Sequence, residues 1–149
     1  MIEIRLITKE DLAHIAEIER LSFSEPWSEA SLELLLKDGN FGVAAVCGGR
    51  VVAYVGVISA PPEGEIANVA THPDYRRKGF ADAVIERLKG EAEIRKIDSL
   101  FLEVRRSNTA AQRLYEKQGF EVIGERRGFY SNPKEDALLM AWHSSNKFS

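Results

Sequence analysis

Gly48-Gly49 stands between two apolar runs, Phe41 to Cys47 and Val51 to Ile58. A glycine pair in that setting signals a tight hairpin, because the favoured two-residue turns need positive φ at their central positions. The two runs are therefore predicted to be paired strands, and every other element has to be arranged around that antiparallel pair. Pro61-Pro62 ends the second strand.

Before the hairpin, Ile2, Ile4 and Leu6 alternate with charged Glu3 and Arg5, the pattern of a half-buried strand. Thr8 with Asp11 three residues on resembles a capping box, with Asp in place of the usual Glu or Gln. Leu12, Ile15, Ile18 (or Glu19) and Leu21 follow at helical spacing. Ser24-Glu25-Pro26-Trp27 breaks that helix, since the residue before a proline is driven out of the helical region. Ser28 can cap a second helix carrying Leu32, Leu35 and Leu36. After the hairpin, Ile66 to Thr71 reads as a short strand and Pro73 opens a polar loop. A helix then starts near Gly79 with Ala83, Val84, Ile85 and Leu88, and Leu100 to Val104 is strand-like. Asn108 opens a further helix with Ala111, Leu114 and Tyr115, which Gly119 stops. Two last strands lie near Phe120 to Gly124 and Ala137 to Trp142. The predicted order is β-α-α-β-β-β-α-β-α-β-β, a mixed α/β chain. It has no repeat or linker, and is expected to form one domain over 1–143 with a flexible tail over 144–149.

A chain of 149 residues fits one domain and can bury a sizeable core without disulfides or metal. Its 44% hydrophobic and 29% charged residues are those of an ordinary globular protein. A net charge of −3 argues against broad binding to nucleic acid, which needs a basic face. Cys47 is the only cysteine, so no internal disulfide can form, which suits a reducing cytosol. Within its apolar run it reads as a small buried hydrophobe. His14, His72 and His143 have no metal-ligand spacing. Met1 to Arg5 carries charge where a signal peptide needs an apolar stretch. No segment approaches the ~20 apolar residues that cross a membrane. A cytoplasmic protein without metal, membrane or nucleic-acid partner is expected.

Arg76-Arg77-Lys78-Gly79-Phe80-Ala81 lies between a predicted strand and a predicted helix. A helix start carries unpaired backbone N–H groups and about half a positive charge. Such groups bind a pyrophosphate where the backbone can approach it closely. Gly79 has no side chain to block that approach, and Ala81 is the next smallest choice. Arg76, Arg77 and Lys78 add a local positive field. The bland reading is a solvated basic turn. Arg-x-x-Gly-x-Gly/Ala arises by chance in roughly one chain in ten, so its place between strand and helix is what gives it weight.

With that loop, three motifs agree in order with the GNAT N-acetyltransferases, which the sequence resembles. The loop looks like the family's coenzyme A signature. Asn68-Val69-Ala70-Thr71-His72-Pro73 looks like its fourth strand. Leu102-Glu103-Val104-Arg105, with Asn108 and Leu114-Tyr115-Glu116-Lys117-Gln118-Gly119-Phe120, looks like its later motif. Pro26-Trp27-Ser28, Leu102 to Arg105, Glu135-Asp136-Ala137 and Met140-Ala141 resemble the ribosomal-protein alanine N-acetyltransferase (RimI) subgroup in particular. The likeness covers about residues 1–142. It implies a GNAT-type, mostly antiparallel central sheet flanked by helices. Gly128-Phe129-Tyr130 departs from the pair of adjacent tyrosines that relatives often show.

The resemblance implies transfer of an acetyl group from acetyl-coenzyme A to a primary amine. An α-amine has a pKa of ~8, so on the order of a tenth is neutral at pH 7 and a modest base suffices. By resemblance that base is Glu103, directly or through a water; read alone, it is a surface glutamate. Tyr115 is the implied acid for the departing thiolate; read alone, it is a core residue on an amphipathic helix, and a tyrosine can be both. Backbone amides of Val69, Ala70 and Thr71 would hold the acetyl carbonyl and the pantetheine arm. The loop from Arg76 to Ala81, Phe80 included, would hold the pyrophosphate. Asn108 reads equally as a pantetheine ligand and as a helix cap. Trp27 and Tyr130 are candidates for the acceptor pocket, and Trp27 reads as packing when taken alone. The acceptor implied is a protein or peptide N-terminus, of a ribosomal protein in the subgroup. The alternatives are a small-molecule amine or lysine side chain, and a non-catalytic acyl-coenzyme A sensor. A nucleotide module fits less well, because neither the Gly-Lys-Ser/Thr of a P-loop nor a three-glycine pattern is present.

Overall fold

The Gly48-Gly49 turn has φ values of 60° and 79°, both in the region open to glycine. It joins β2 (Phe41–Cys47) to β3 (Arg50–Ala60), which pair antiparallel. Both strands are covered on both faces, which is why they read as continuous apolar runs rather than alternating ones. The structure, a computed structural model, describes residues 2–145.

The remaining elements follow the predicted order. They are β1 (Ile2–Leu6), α1 (Leu12–Ser22), α2 (Glu29–Leu32), β4 (Glu63–Thr71), α3 (Phe80–Ile94), β5 (Ser99–Arg105), α4 (Thr109–Lys117), β6 (Glu121–Tyr130) and β7 (Glu135–His143). One seven-stranded sheet runs β1-β2-β3-β4-β5-β7-β6. Every neighbouring pair is antiparallel except β4 with β5. Val84, Ile85 and Leu88 of α3 join Val43, Val55 and Leu100 in one core on one face. Leu12, Ile15 and Ile18 of α1 join Ala44, Val46 and Tyr54 in a second core on the other.

The parallel pairing of β4 and β5 is short. It covers Glu63 to Glu65 against Ser99 to Phe101, and beyond it the two strands part. Ala67 is an extra residue in β4: Gly56 pairs with Asn68 and Val57 with Ile66. A bulge bends the strand that carries it. The result is a wedge-shaped gap in the middle of the sheet.

Five local expectations need adjustment. β4 begins at Glu63 rather than Ile66, because Glu63 and Gly64 close the ladder with Ala60 and Ser59. β6 runs on to Tyr130 rather than ending at Gly124; as an edge strand exposed on both faces it shows no alternation to read. The second helix is a single α turn continued as a 3-10 turn over Glu33–Leu36, with Leu35 buried and Leu36 exposed. Cys47 is half-buried at the end of its strand, not enclosed. At the start of the expected tail, Ser144 is buried and its N–H donates to Asp98 O at 2.7 Å. Residues 146–149 lie outside the described residues.

Candidate active site

The sequence from Thr71 to Phe80 turns sharply because Arg77 (φ 65°) and Gly79 (φ 82°) are both left-handed. The first helical bond of α3 runs from Ala83 N–H to Gly79 O. The N–H groups of Phe80, Ala81 and Asp82 therefore have no partner inside the helix and can meet an anion. A Cβ at Gly79 would find no atom within 4 Å, so this backbone is open to an approaching ligand. Arg76 is held ready at the rim: its Nε donates to Thr71 O at 3.2 Å and its Nη2 to Ser22 Oγ at 3.3 Å. Asp82 puts a carboxylate in the first turn, where it would repel phosphate. Burial pushes that carboxyl up, but hydrogen bonds from Lys117 and Gln118 at 2.8 Å outweigh this, and its pKa is lowered. Lys117 thus neutralises the acid in the first turn of α3.

A cleft of about 610 Å³ runs from this loop toward the gap in the sheet. Val69, Ala70, Thr71, Arg76, Arg77, Gly79, Phe80, Ala81, Asn108 and Tyr115 all line it. Ten of the residues singled out from sequence are thus brought together on one wall, and Lys78 is not among them. Asn108 does cap α4, its Oδ1 accepting from Ala111 N–H at 3.1 Å, while also facing the cleft. The two readings of Asn108 are compatible, because the cap uses only its oxygen. Tyr115 is buried and packs its ring 5.8 Å from Phe120. Burial, then the neighbouring Tyr130, pushes its phenol well above the ordinary value. It is a neutral hydrogen-bond donor.

Glu103 lies on the other side of the gap. It borders a separate cavity of about 340 Å³ with Ile58, Glu63, Glu65, Phe101, Arg126 and Leu139. Its side chain is 15% exposed, and Arg126 Nε stands 3.4 Å from Oε2. Burial and the charge of Glu65 push its carboxyl up, and Arg126 opposes them. Tyr130 links the two sides electrostatically. Burial and the Glu103 charge push its phenol up to about 12, with Arg105 opposing, and it in turn raises Tyr115. The Arg105 guanidinium lies 4.4 Å from the Tyr130 ring centre. The same group donates to Pro133 O (2.9 Å), Ser131 O (2.9 Å) and Glu135 Oε1 (3.2 Å), which ties the β6–β7 turn to β5.

A model of the acetyltransferase (GNAT) family matches residues 12–120. The chain belongs to that family. The acetyltransferase is 35% identical over 133 residues to the [ribosomal protein bS18]-alanine N-acetyltransferase of Escherichia coli, covering 88% of this chain and 90% of that one. It is 30% identical over 141 residues to the protein of the same name from Haemophilus ducreyi, at 93% and 97% coverage. The crystal structure of the Escherichia coli ribosomal-protein-S18-alanine N-acetyltransferase superposes with a TM-score of 0.90 at 33% identity, over 98% of this chain and 96% of that one. Ard1 from Thermoplasma volcanium shares the fold, with a TM-score of 0.89 at 24% identity. The expected GNAT architecture and acetyl-coenzyme A-dependent acetyltransferase activity follow from this membership.

Two features of this acetyltransferase escaped the sequence reading. Glu19 is fully buried in α1. Its Oε2 accepts from Tyr54 Oη at 2.5 Å and Asn68 Nδ2 at 2.8 Å, and its Oε1 from the Trp27 N–H at 2.9 Å. Burial raises its pKa, against those three donors. This carboxylate joins the bulged part of β4 to the Pro26-Trp27 turn. The Trp27 ring packs against the α1 core and borders neither cavity. The signal was the alternative reading of Ile18 or Glu19 as core-facing: both are buried, and a glutamate in that place needs partners. The second feature is the set Glu65, Glu103 and Arg126, drawn from three strands that are far apart in sequence.

Proposed function

We propose that this acetyltransferase modifies the N-terminal α-amine of a protein, in the manner that the names of its bS18-alanine relatives describe. The observation that carries the reading is the gap between β4 and β5. Cofactor-side residues line one side of it and Glu103 the other, so an acyl group and an amine can meet through the sheet.

In this reading the α3 N-terminus and the Arg76 to Ala81 loop, Lys78 included, hold the pyrophosphate. The amides of Val69, Ala70 and Thr71 beside the bulge hold the pantetheine arm and the acetyl oxygen. Asn108 donates to the arm. Glu103 takes the proton of the amine as its nitrogen attacks the thioester carbon; the N–C bond forms and the C–S bond breaks. Tyr115 donates a hydrogen bond to the leaving sulfur. A phenol raised above ~10 is a weaker acid than a thiol of ~8.5, so Tyr115 steadies the thiolate, and the proton released by the amine balances the charge on coenzyme A. Tyr130, steered by Arg105, borders the acceptor, and Trp27 supports the acceptor side through its turn. A ribosomal-protein acceptor would place this work in the cytoplasm.

The test is a peptide array with varied first residues, alongside lysine peptides and polyamines, read by mass spectrometry. Peptides beginning with a small residue such as alanine should gain one acetyl group on the α-amine. Acetylation confined to lysine side chains or polyamines would overturn the proposal, and absence of any free thiol release would favour a sensor.

A further inference from the structure

Glu103 and Glu65 place two carboxylates at one cavity, on the two strands that flank the gap. Glu65 sits opposite Phe101 in the short parallel ladder, two residues before Glu103 in β5. Like charges at such a site oppose joint ionisation. Arg126 is the cation that reaches Glu103, 3.4 Å from its Oε2. It comes from the edge strand β6. Its register partner is Ala137 of β7, which also pairs with Arg105, so Arg126 projects from the same face as Glu103 and reaches diagonally across β7. The neighbouring ion pairs have other partners: Arg105 with Glu135 and Arg106 with Glu125. Arg126 is 57% exposed and its guanidinium lies 5.8 Å from the Phe129 ring centre, so it has room to move when a ligand enters.

We propose that Arg126 is a positioning residue for acetyl transfer: it holds Glu103 ionised against Glu65 in the empty enzyme, and yields its place to the acceptor's ammonium group. Glu65 acts on the same carboxylate in the opposite sense. The Glu103 carboxylate then faces a cation both at rest and when the acceptor first binds. Arg126 supplies it at rest and the protonated amine supplies it on binding; Glu103 takes the ammonium's first proton and passes it to solvent, then takes the second as the neutral nitrogen attacks the thioester carbon. Other charged or titratable groups on the surrounding strands include Glu63 of β4, which lines the same cavity, and Tyr130 of β6, beside which lie Arg105 of β5 and Glu135 of β7. The Arg105–Glu135 pair is internally neutralised. Tyr130 is protonated throughout the working range, and Glu63 adds to the negative side. The balance between Glu65 and Arg126 is consistent with the direction each moves the Glu103 carboxyl, upward and downward respectively.

The inference rests on Glu103 being the base, and the experiment separates the two ideas. Profiles of kcat/KM against pH are measured with one N-terminal peptide for the wild type and for Glu103→Gln, Arg126→Gln, Arg126→Lys and Glu65→Gln. If Glu103 is the base, Glu103→Gln loses the acid limb that belongs to the enzyme. A Glu103→Gln profile unchanged in shape overturns the assignment of the base itself. Given that loss, Arg126→Gln should move the limb to higher pH, Glu65→Gln should move it to lower pH, and Arg126→Lys should hold it near the wild-type position. Glutamine variants whose limbs stay in place, or move together, overturn the role of Arg126. Acetyl-coenzyme A affinity, measured by calorimetry, should stay within about twofold in the Arg126 and Glu65 variants, because neither residue borders the cofactor cleft. A purely structural defect would change that affinity or the melting temperature without shifting the limb.

Discussion

Replacing Gly79 by valine separates the two tasks proposed for the loop, holding its shape and admitting the phosphates. Gly79 has φ 82°, which costs an L-residue ~1–2 kcal/mol. An added Cβ meets nothing within 4 Å, so the folded protein suffers backbone strain but no clash. For a domain of this size ~1 kcal/mol corresponds to ~2–4 °C, so melting should fall by about 2–8 °C and the variant should remain folded at 25 °C. Binding should suffer more. A charge-assisted hydrogen bond from a backbone N–H to phosphate is worth ~1.5–3 kcal/mol net, and each ~1.4 kcal/mol is tenfold in affinity. Losing one such bond weakens acetyl-coenzyme A by about ten- to a hundredfold. Calorimetry well below the melting point measures this, with Gly79→Ala falling in between. Acetyl-pantetheine, which has no pyrophosphate, serves as the second donor and should be turned over as well by the variant as by the wild type. Unchanged acetyl-coenzyme A affinity in the folded variant, or equal losses with both donors, would refute the reasoning.

Three further outcomes are expected. Tyr54→Phe removes one donor to the buried Glu19 carboxylate and should lower stability by about 1–3 kcal/mol, read as a lower melting temperature; no change would mean that Glu19 does not depend on its partners. Arg105→Lys cannot reproduce the guanidinium fork that grips Ser131 O and Pro133 O under Tyr130. The peptide KM should rise about tenfold, the equivalent of one charge-assisted bond, with acetyl-coenzyme A binding unaffected; parallel losses of both would count against a role confined to the acceptor hairpin. Asp11→Asn weakens the paired contacts with Arg5 at 2.7 and 2.9 Å and with the Thr8 N–H at 2.8 Å. Burial pushes the Asp11 carboxyl up, but those donors outweigh it, and the folded pKa lies below the ordinary 3.8. The stability it contributes is therefore present above that value and lost as pH falls through the folded pKa. The difference in melting temperature between wild type and variant should be several degrees at pH 7 and close in acid; a constant difference would point to packing instead.

Much of this protein is written in local patterns. The Gly48-Gly49 turn, the apolar strands beside it, the α3 spacing and the loop over Arg76 to Ala81 each depend on neighbours in sequence, and glycines that can take positive φ and periodic apolar residues mark them plainly. The order of elements could therefore be read before any coordinates, and the residues singled out between Val69 and Tyr115, most of them through the family resemblance, line one cleft. What sequence could not decide lies between strands. A bulge at Ala67 leaves no mark in an ordinary Ile-Ala-Asn stretch, yet together with the short β4–β5 ladder it opens the gap on which the proposed reaction depends. The long edge strand β6 lacks alternation because no core faces it, so the reach of Arg126 toward Glu103 stayed hidden. Helical spacing left Ile18 or Glu19 as the core-facing position, but the donors that make a buried Glu19 tolerable, Tyr54, Asn68 and the Trp27 N–H, come together only in the fold. A carboxylate's chemistry is set by which charges and donors surround it in space, and those neighbours arrive from distant parts of the chain only when the sheet forms.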